Sequence, residues 1–164
     1  MDINIEKWQE VIWDITGDRS IIVGVTNERK KYNKFISLVY TPSDERFPYI
    51  VVVIHAPSFS AQDENGKWGT ILHEIGHIET NKRIGNKRIP VSLEELYAHR
   101  FGLEWAIKNK KLKVAKEMFS IIDSWRLYQW NKESDSRIYR MAHNLAQKEG
   151  LIDDWRRQIK RLTN

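Results

Sequence analysis

Residues 68–80 read WGTILHEIGHIET, and residues 92–106 read SLEELYAHRFGLEWA. In the first stretch, His73, Glu74 and His77 form an H-E-x-x-H pattern. On a helix, positions i and i+4 lie about 40° apart, so two imidazoles at that spacing reach one ion together. Ile71, Ile75 and Ile78 recur at i, i+4 and i+7 on nearly the opposite side. The helix thus has one face for a core and one for a cleft. Neutral imidazole suits zinc, and a catalytic zinc site takes three protein ligands and keeps a fourth position for water. A carboxylate beside the pair, here Glu74, can accept a proton from that water. The spacing therefore predicts one Zn2+ held by His73 and His77, with Glu74 as the catalytic base.

The third ligand has to come from another part of the chain. A metzincin site would need Gly at 80 and His at 83, where the chain carries Thr80 and Arg83. Cysteine is absent, which excludes thiolate ligands (and with them a deformylase-type site), disulfides and cysteine nucleophiles. The second stretch offers Glu94, Glu95 and His99. Glu95, Ala98, His99, Gly102 and Ala106 share one helical face, and its small residues would let two helices approach closely. Glu94 is turned about 100° from Glu95, toward the side of Phe101 and Trp105. Glu95 is the expected third ligand, with His99 either replacing it or hydrogen-bonding a ligand from behind. A competing account needs no metal: Ser92 as N-cap and Glu95 three residues on would make a capping box, just after Pro90.

These residues resemble the gluzincin metallopeptidases, in which H-E-x-x-H is completed by a downstream glutamate. More narrowly, Thr70–His77 followed by Glu95, Ala98 and Phe101 at three-residue steps is similar to the ImmA/IrrE family. The likeness covers residues 70–77 and 95–101, with Tyr49–His55 as the preceding strand. It implies a zincin-like fold, zinc on His73, His77 and Glu95, Glu74 as the base, and a regulatory protease that cleaves a repressor or other regulator. Leu72 stands where that family has alanine, Gly102 where a second alanine is common, and Leu103–Ala106 in place of a Leu-Leu-Met-Pro-like tail.

Outward from the motif, residues 2–16 carry Ile5, Trp8, Val11, Ile12 and Ile15 at helical spacing. Strands are expected at Ser20–Val25, Lys34–Tyr40 and Tyr49–His55, a loop at Ala56–Lys67, and helices at 68–81, 92–109, 112–131, 135–148 and 151–162. This order predicts an α+β fold: a zincin-like small antiparallel or mixed sheet, an active-site helix and a helical C-terminal half. One metallopeptidase domain would cover 1–164, with helix and sheet in 1–67, metal-binding helices in 68–110 and a helical extension in 111–164. Trp105, Phe119, Ile122, Trp125, Ile138, Met141 and Leu145 read as core. Tyr49–His55 reads either as an edge strand that takes an extended substrate or as a buried core strand. His143 lies on a late helix of the kind that could cap the cleft and is a further catalytic candidate, as an oxyanion stabiliser. Tyr128, Tyr139, Tyr97 and His55 rank behind it. The extension could wall the cleft, block it or carry an interface.

Composition limits the alternatives. The chain has 164 residues, 41% of them hydrophobic, with seven Trp, six Tyr and five Phe, enough to build a packed core. No apolar run is long enough to cross a bilayer, and the first residues lack an export signal, so a cytoplasmic protein without membrane partners is expected. The net charge is +5, but 27 basic and 22 acidic residues are interspersed and no nucleic-acid motif occurs. A protein or peptide substrate is the expected partner. The competing function is an inactive zincin-fold module that binds a regulator or nucleic acid.

Overall fold

The computed structural model describes residues 3–28, 37–40, 49–85, 87–128 and 134–163. Helix α1 (Ile5–Thr16) opens on Asn4, whose side chain accepts from the Lys7 N–H, and closes on Gly17 in the left-handed conformation. Its apolar face buries Trp8 and Ile12. Strands β1 (Ile22–Thr26), β2 (Ser37–Tyr40) and β3 (Val51–His55) follow. They form a mixed sheet in the order β1-β3-β2. Val52 lies opposite Val23 on the parallel side and Val39 on the antiparallel side.

The pairing decides the role of β3. Both of its flanks are spent on main-chain hydrogen bonds, so it cannot be the edge strand that receives a substrate. Its run of Val and Ile belongs to a central strand, with Val52 and Ile54 fully buried. Of the strand expected at Lys34–Tyr40, residues 34–36 lie outside the described residues.

The polar stretch after β3, expected as a loop, is largely helical. His55 caps the short helix α2 (Ala56–Ser60), its ring accepting from the Ser58 N–H, and Pro57 sits in the first turn where its missing N–H costs nothing. Asp63 then caps α3 (Glu64–Ile84) by accepting from the Gly66 N–H. Helix starts are polar because their caps and first turns are, so polarity concealed one here. Next come α4 (Val91–Lys108), α5 (Leu112–Ser124) with a 3-10 turn at Trp125–Leu127, α6 (Ser134–Lys148) and α7 (Leu151–Thr163). The helix expected over 112–131 ends at Ser124, and residues 129–131 of it lie outside the described residues. The result is an α+β arrangement dominated by helix.

Helix α3 supplies both apolar cores. Ile71, Ile75 and Ile78 pack toward the sheet with Trp8, Ile12, Val52, Ile54 and Phe59. Leu72 packs on the other side with Leu96, Leu103, Met118, Trp125 and Trp155. Trp105 and Phe119 are partly buried against that second core. Met141, expected inside, is 39% exposed. Helix α6 instead buries Ala142, His143 and Ala146; a small-residue face sits close to its neighbours and leaves longer side chains to the rim. Among the described residues, no helix is long and apolar enough to cross a membrane.

Candidate metal centre

The site is made by one helix crossing. A Cβ built on Gly76 would lie 2.1 Å from the Ala98 carbonyl oxygen, so α3 and α4 touch backbone to backbone between His73 and His77. Further along, a Cβ on Gly102 would meet Met118 Cε at 2.6 Å and Leu72 Cβ at 3.0 Å. The small face read from the sequence is therefore the contact face, with Ala98 and Ala106 fully buried. This proximity carries Glu95 from α4 to the two histidines of α3.

His73 Nε2 lies 3.1 Å from His77 Nε2 and 3.3 Å from Glu95 Oε2. His77 Nε2 lies 3.7 Å from Glu95 Oε1. Donors placed about 2.0–2.1 Å from a four-coordinate zinc stand about 3.3 Å from one another, so these spacings fit such an ion. A hydrogen bond between the rings accounts for the first contact when one ring carries its proton on Nε2. It does not satisfy Glu95 Oε2, which is buried without a hydrogen-bond partner among the described residues. A buried carboxylate oxygen that lacks a hydrogen bond and lies beside two imidazole nitrogens belongs to a donor set that could hold a metal ion.

The electrostatics favour a cation. Burial disfavours the protonated ring of His77, but Glu94, Glu74 and Glu95 outweigh it and raise its pKa above the ordinary imidazole value. Burial pushes the Glu95 carboxyl up, yet the His73 ring 3.3 Å from it and the neighbouring His77 hold it below the usual carboxylate value. Glu74 is itself 6% exposed. Three carboxylates, Glu74, Glu94 and Glu95, thus act on His77.

The structure separates candidates that the sequence left open. Helix α4 begins at Val91 with Pro90 at the cap position and no side-chain cap bond, so the Ser92–Glu95 capping box does not form. Ser92 is buried within the first turn, and Glu95 reaches across to α3 instead. His99 lies behind His73, ring centroids 5.6 Å apart, and its Nε2–H donates to the Met118 carbonyl at 2.7 Å. Burial first, then the charge of His73, pushes the His99 pKa down to about 3, so the ring is neutral. It packs and positions, with Nε2 already committed.

By helical spacing, Glu94 turns toward the side of Phe101 and Trp105, away from Glu95. Its carboxylate instead lies 3.5 Å from His77 Nδ1. A glutamate stem is long enough to reach across a helix crossing this tight. His143 lies outside the His73–His77–Glu95 group. It is buried on α6, where Asp123, Asn144 and Arg126 act on it and burial lowers its pKa. Tyr128 and Tyr139 pack on one another near Trp125, and His55 caps α2. Comparison with protein families, curated proteins and solved structures yields no match for the chain.

Proposed function

We propose that the chain is a zinc-dependent endopeptidase of the gluzincin kind, with His73, His77 and Glu95 as the metal ligands and Glu74 as the base. The observation that carries this reading is Glu95, brought from a second helix to face both histidines, with Oε2 buried 3.3 Å from His73 Nε2 and without a hydrogen-bond partner among the described residues. Zinc held there supplies a Lewis acid for the scissile carbonyl and a water that ionises near neutral pH. Glu74 stands next to His73 in the chain, and its charge acts on His77, so its carboxylate belongs to the same site. It takes the proton from the attacking water and hands it to the leaving amine. His99 and the Gly76–Ala98 contact hold the ligands in place without touching substrate.

An extended peptide has a route other than β3. Helix α3 lies alongside β2, and among the described residues the outer edge of β2 pairs with no strand. Main-chain bonds along that edge would lay a peptide beside the motif helix. No step is assigned to His143, which lies outside the His73–His77–Glu95 group. A regulatory protein as substrate follows from the ImmA/IrrE likeness alone.

The test is Glu74→Gln. Measured on a quenched fluorescent peptide library and on casein, the variant should lose cleavage by about 100-fold or more, the range over which a positioned acid–base group acts. Bound zinc, quantified by atomic emission, should stay at the wild-type level. Full cleavage by the variant would remove the hydrolytic reading. Absence of zinc from wild-type protein dialysed against micromolar zinc would remove the metal.

A further inference from the structure

We infer that Glu94 is the positioning carboxylate of His77, receiving its Nδ1–H so that Nε2 faces the metal position; this rests on the zinc reading above. His77 presents its two ring nitrogens to different partners. Nε2 faces His73 Nε2 at 3.1 Å and Glu95 Oε1 at 3.7 Å, while Nδ1 faces Glu94 Oε1 at 3.5 Å. An imidazole that gives its Nε2 lone pair to a cation carries its proton on Nδ1, and that proton needs an acceptor. Ligating histidines regularly donate it to a carboxylate, carbonyl or water, which sets both tautomer and ring tilt.

Glu94 supplies that acceptor from the same helix turn as the third ligand. Two consecutive residues of α4 therefore divide the work: Glu95 faces both histidines at Nε2, and Glu94 holds one of them from behind. Both depend on the Gly76–Ala98 contact, so α4 delivers ligand and support as one rigid unit. The Glu94 side chain is 32% exposed, so its contact with His77 is partly shielded from solvent, yet its removal opens no core.

A first-turn glutamate can also act only as a favourable charge at a helix N-terminus, and α4 does carry Glu94 there. The test separates the two roles. Zinc affinity is measured by competition with a chromogenic chelator for wild type, Glu94→Ala and Glu94→Gln. The His77 ring N–H is followed by long-range 1H–15N NMR of the zinc-loaded proteins. Glu94→Ala should weaken zinc binding by about 10–100-fold, the usual cost of losing an outer-shell partner, and lose the slowly exchanging Nδ1–H signal. Glu94→Gln retains an acceptor oxygen but no charge, so it should recover both the signal and most of the affinity.

Wild-type affinity with an unchanged Nδ1–H signal in Glu94→Ala would overturn the inference and leave the zinc site standing. Failure of Glu94→Gln to recover either readout would assign Glu94 to helix electrostatics instead. A wild-type protein that takes up no zinc would bring down the metal reading, and this inference with it. Should Glu94→Ala not fold, Glu94→Leu, which fills similar space but offers no acceptor, replaces it in both measurements with the same expected losses.

Discussion

Glu95 and His99 are each open to two readings from sequence, and their surroundings tell them apart. Spacing puts both on the face toward α3. What separates them is the hydrogen bond that His99 donates to the Met118 carbonyl, nineteen residues further along the chain. His99→Gln should therefore still bind one zinc per chain, with stability lowered by about 1–3 kcal/mol through loss of a buried bond; zinc stoichiometry and urea denaturation report the two effects. Glu95→Gln keeps the shape but loses the charge and the strong donor. Its zinc affinity should fall beyond the roughly 100-fold limit seen for outer-shell partners, read by the same chelator competition. Tight binding by Glu95→Gln together with loss in His99→Gln would exchange their roles.

Elements were legible where periodicity is strong and obscure where caps take over. The apolar stripe of α3 was visible, and Ile71, Ile75 and Ile78 are all buried. Its start at Glu64 was not, because Asp63, Glu64, Asn65 and Gly66 read as loop residues. The glycines of this helix now have distinct tasks. Gly76→Ala drives a methyl into the Ala98 carbonyl at 2.1 Å, against backbone that cannot yield. It should cost about 1–3 kcal/mol or more, as overpacking does, and abolish zinc binding by parting the helices. Gly69→Ala meets only Met118 Cγ at 3.3 Å. A gain of about 1 kcal/mol in helix propensity offsets that crowding, so its stability should stay near wild type with zinc binding intact. Parallel urea titrations and zinc measurements on the two variants check the contrast.

At the scale of the whole molecule, metal and fold should be coupled. On the zinc reading, free zinc at a hundred times its Kd adds about 2.7 kcal/mol to stability. For a chain of this size that is a rise in Tm of about 5–10 °C, reversed by a chelator; a Tm indifferent to both would argue against a site in the folded state. From sequence, the extension over 111–164 could wall the cleft, block it or carry an interface. In the structure α7 buries Ile152, Trp155 and Ile159, and the Trp155 indole N–H donates to Glu104 at 3.3 Å. Trp155→Ala should cost about 3–5 kcal/mol, the range for emptying a large buried aromatic site, measured by urea denaturation. Helix α7 therefore belongs to the core, packed on α4 and α5.

The sequence by itself determined the motif helix, its apolar back, the shortlist of third ligands and the α+β order of elements. These are properties of spacing along a chain, and backbone periodicity converts spacing directly into faces. Tertiary structure decided which faces meet. It made β3 the central strand, set Glu95 against both histidines rather than in a capping box, turned Glu94 toward His77, and left His143 apart from the cluster. Each outcome depends on contacts between residues distant in sequence, above all Gly76 against Ala98, and helical periodicity contains no information about where a second helix will cross the first.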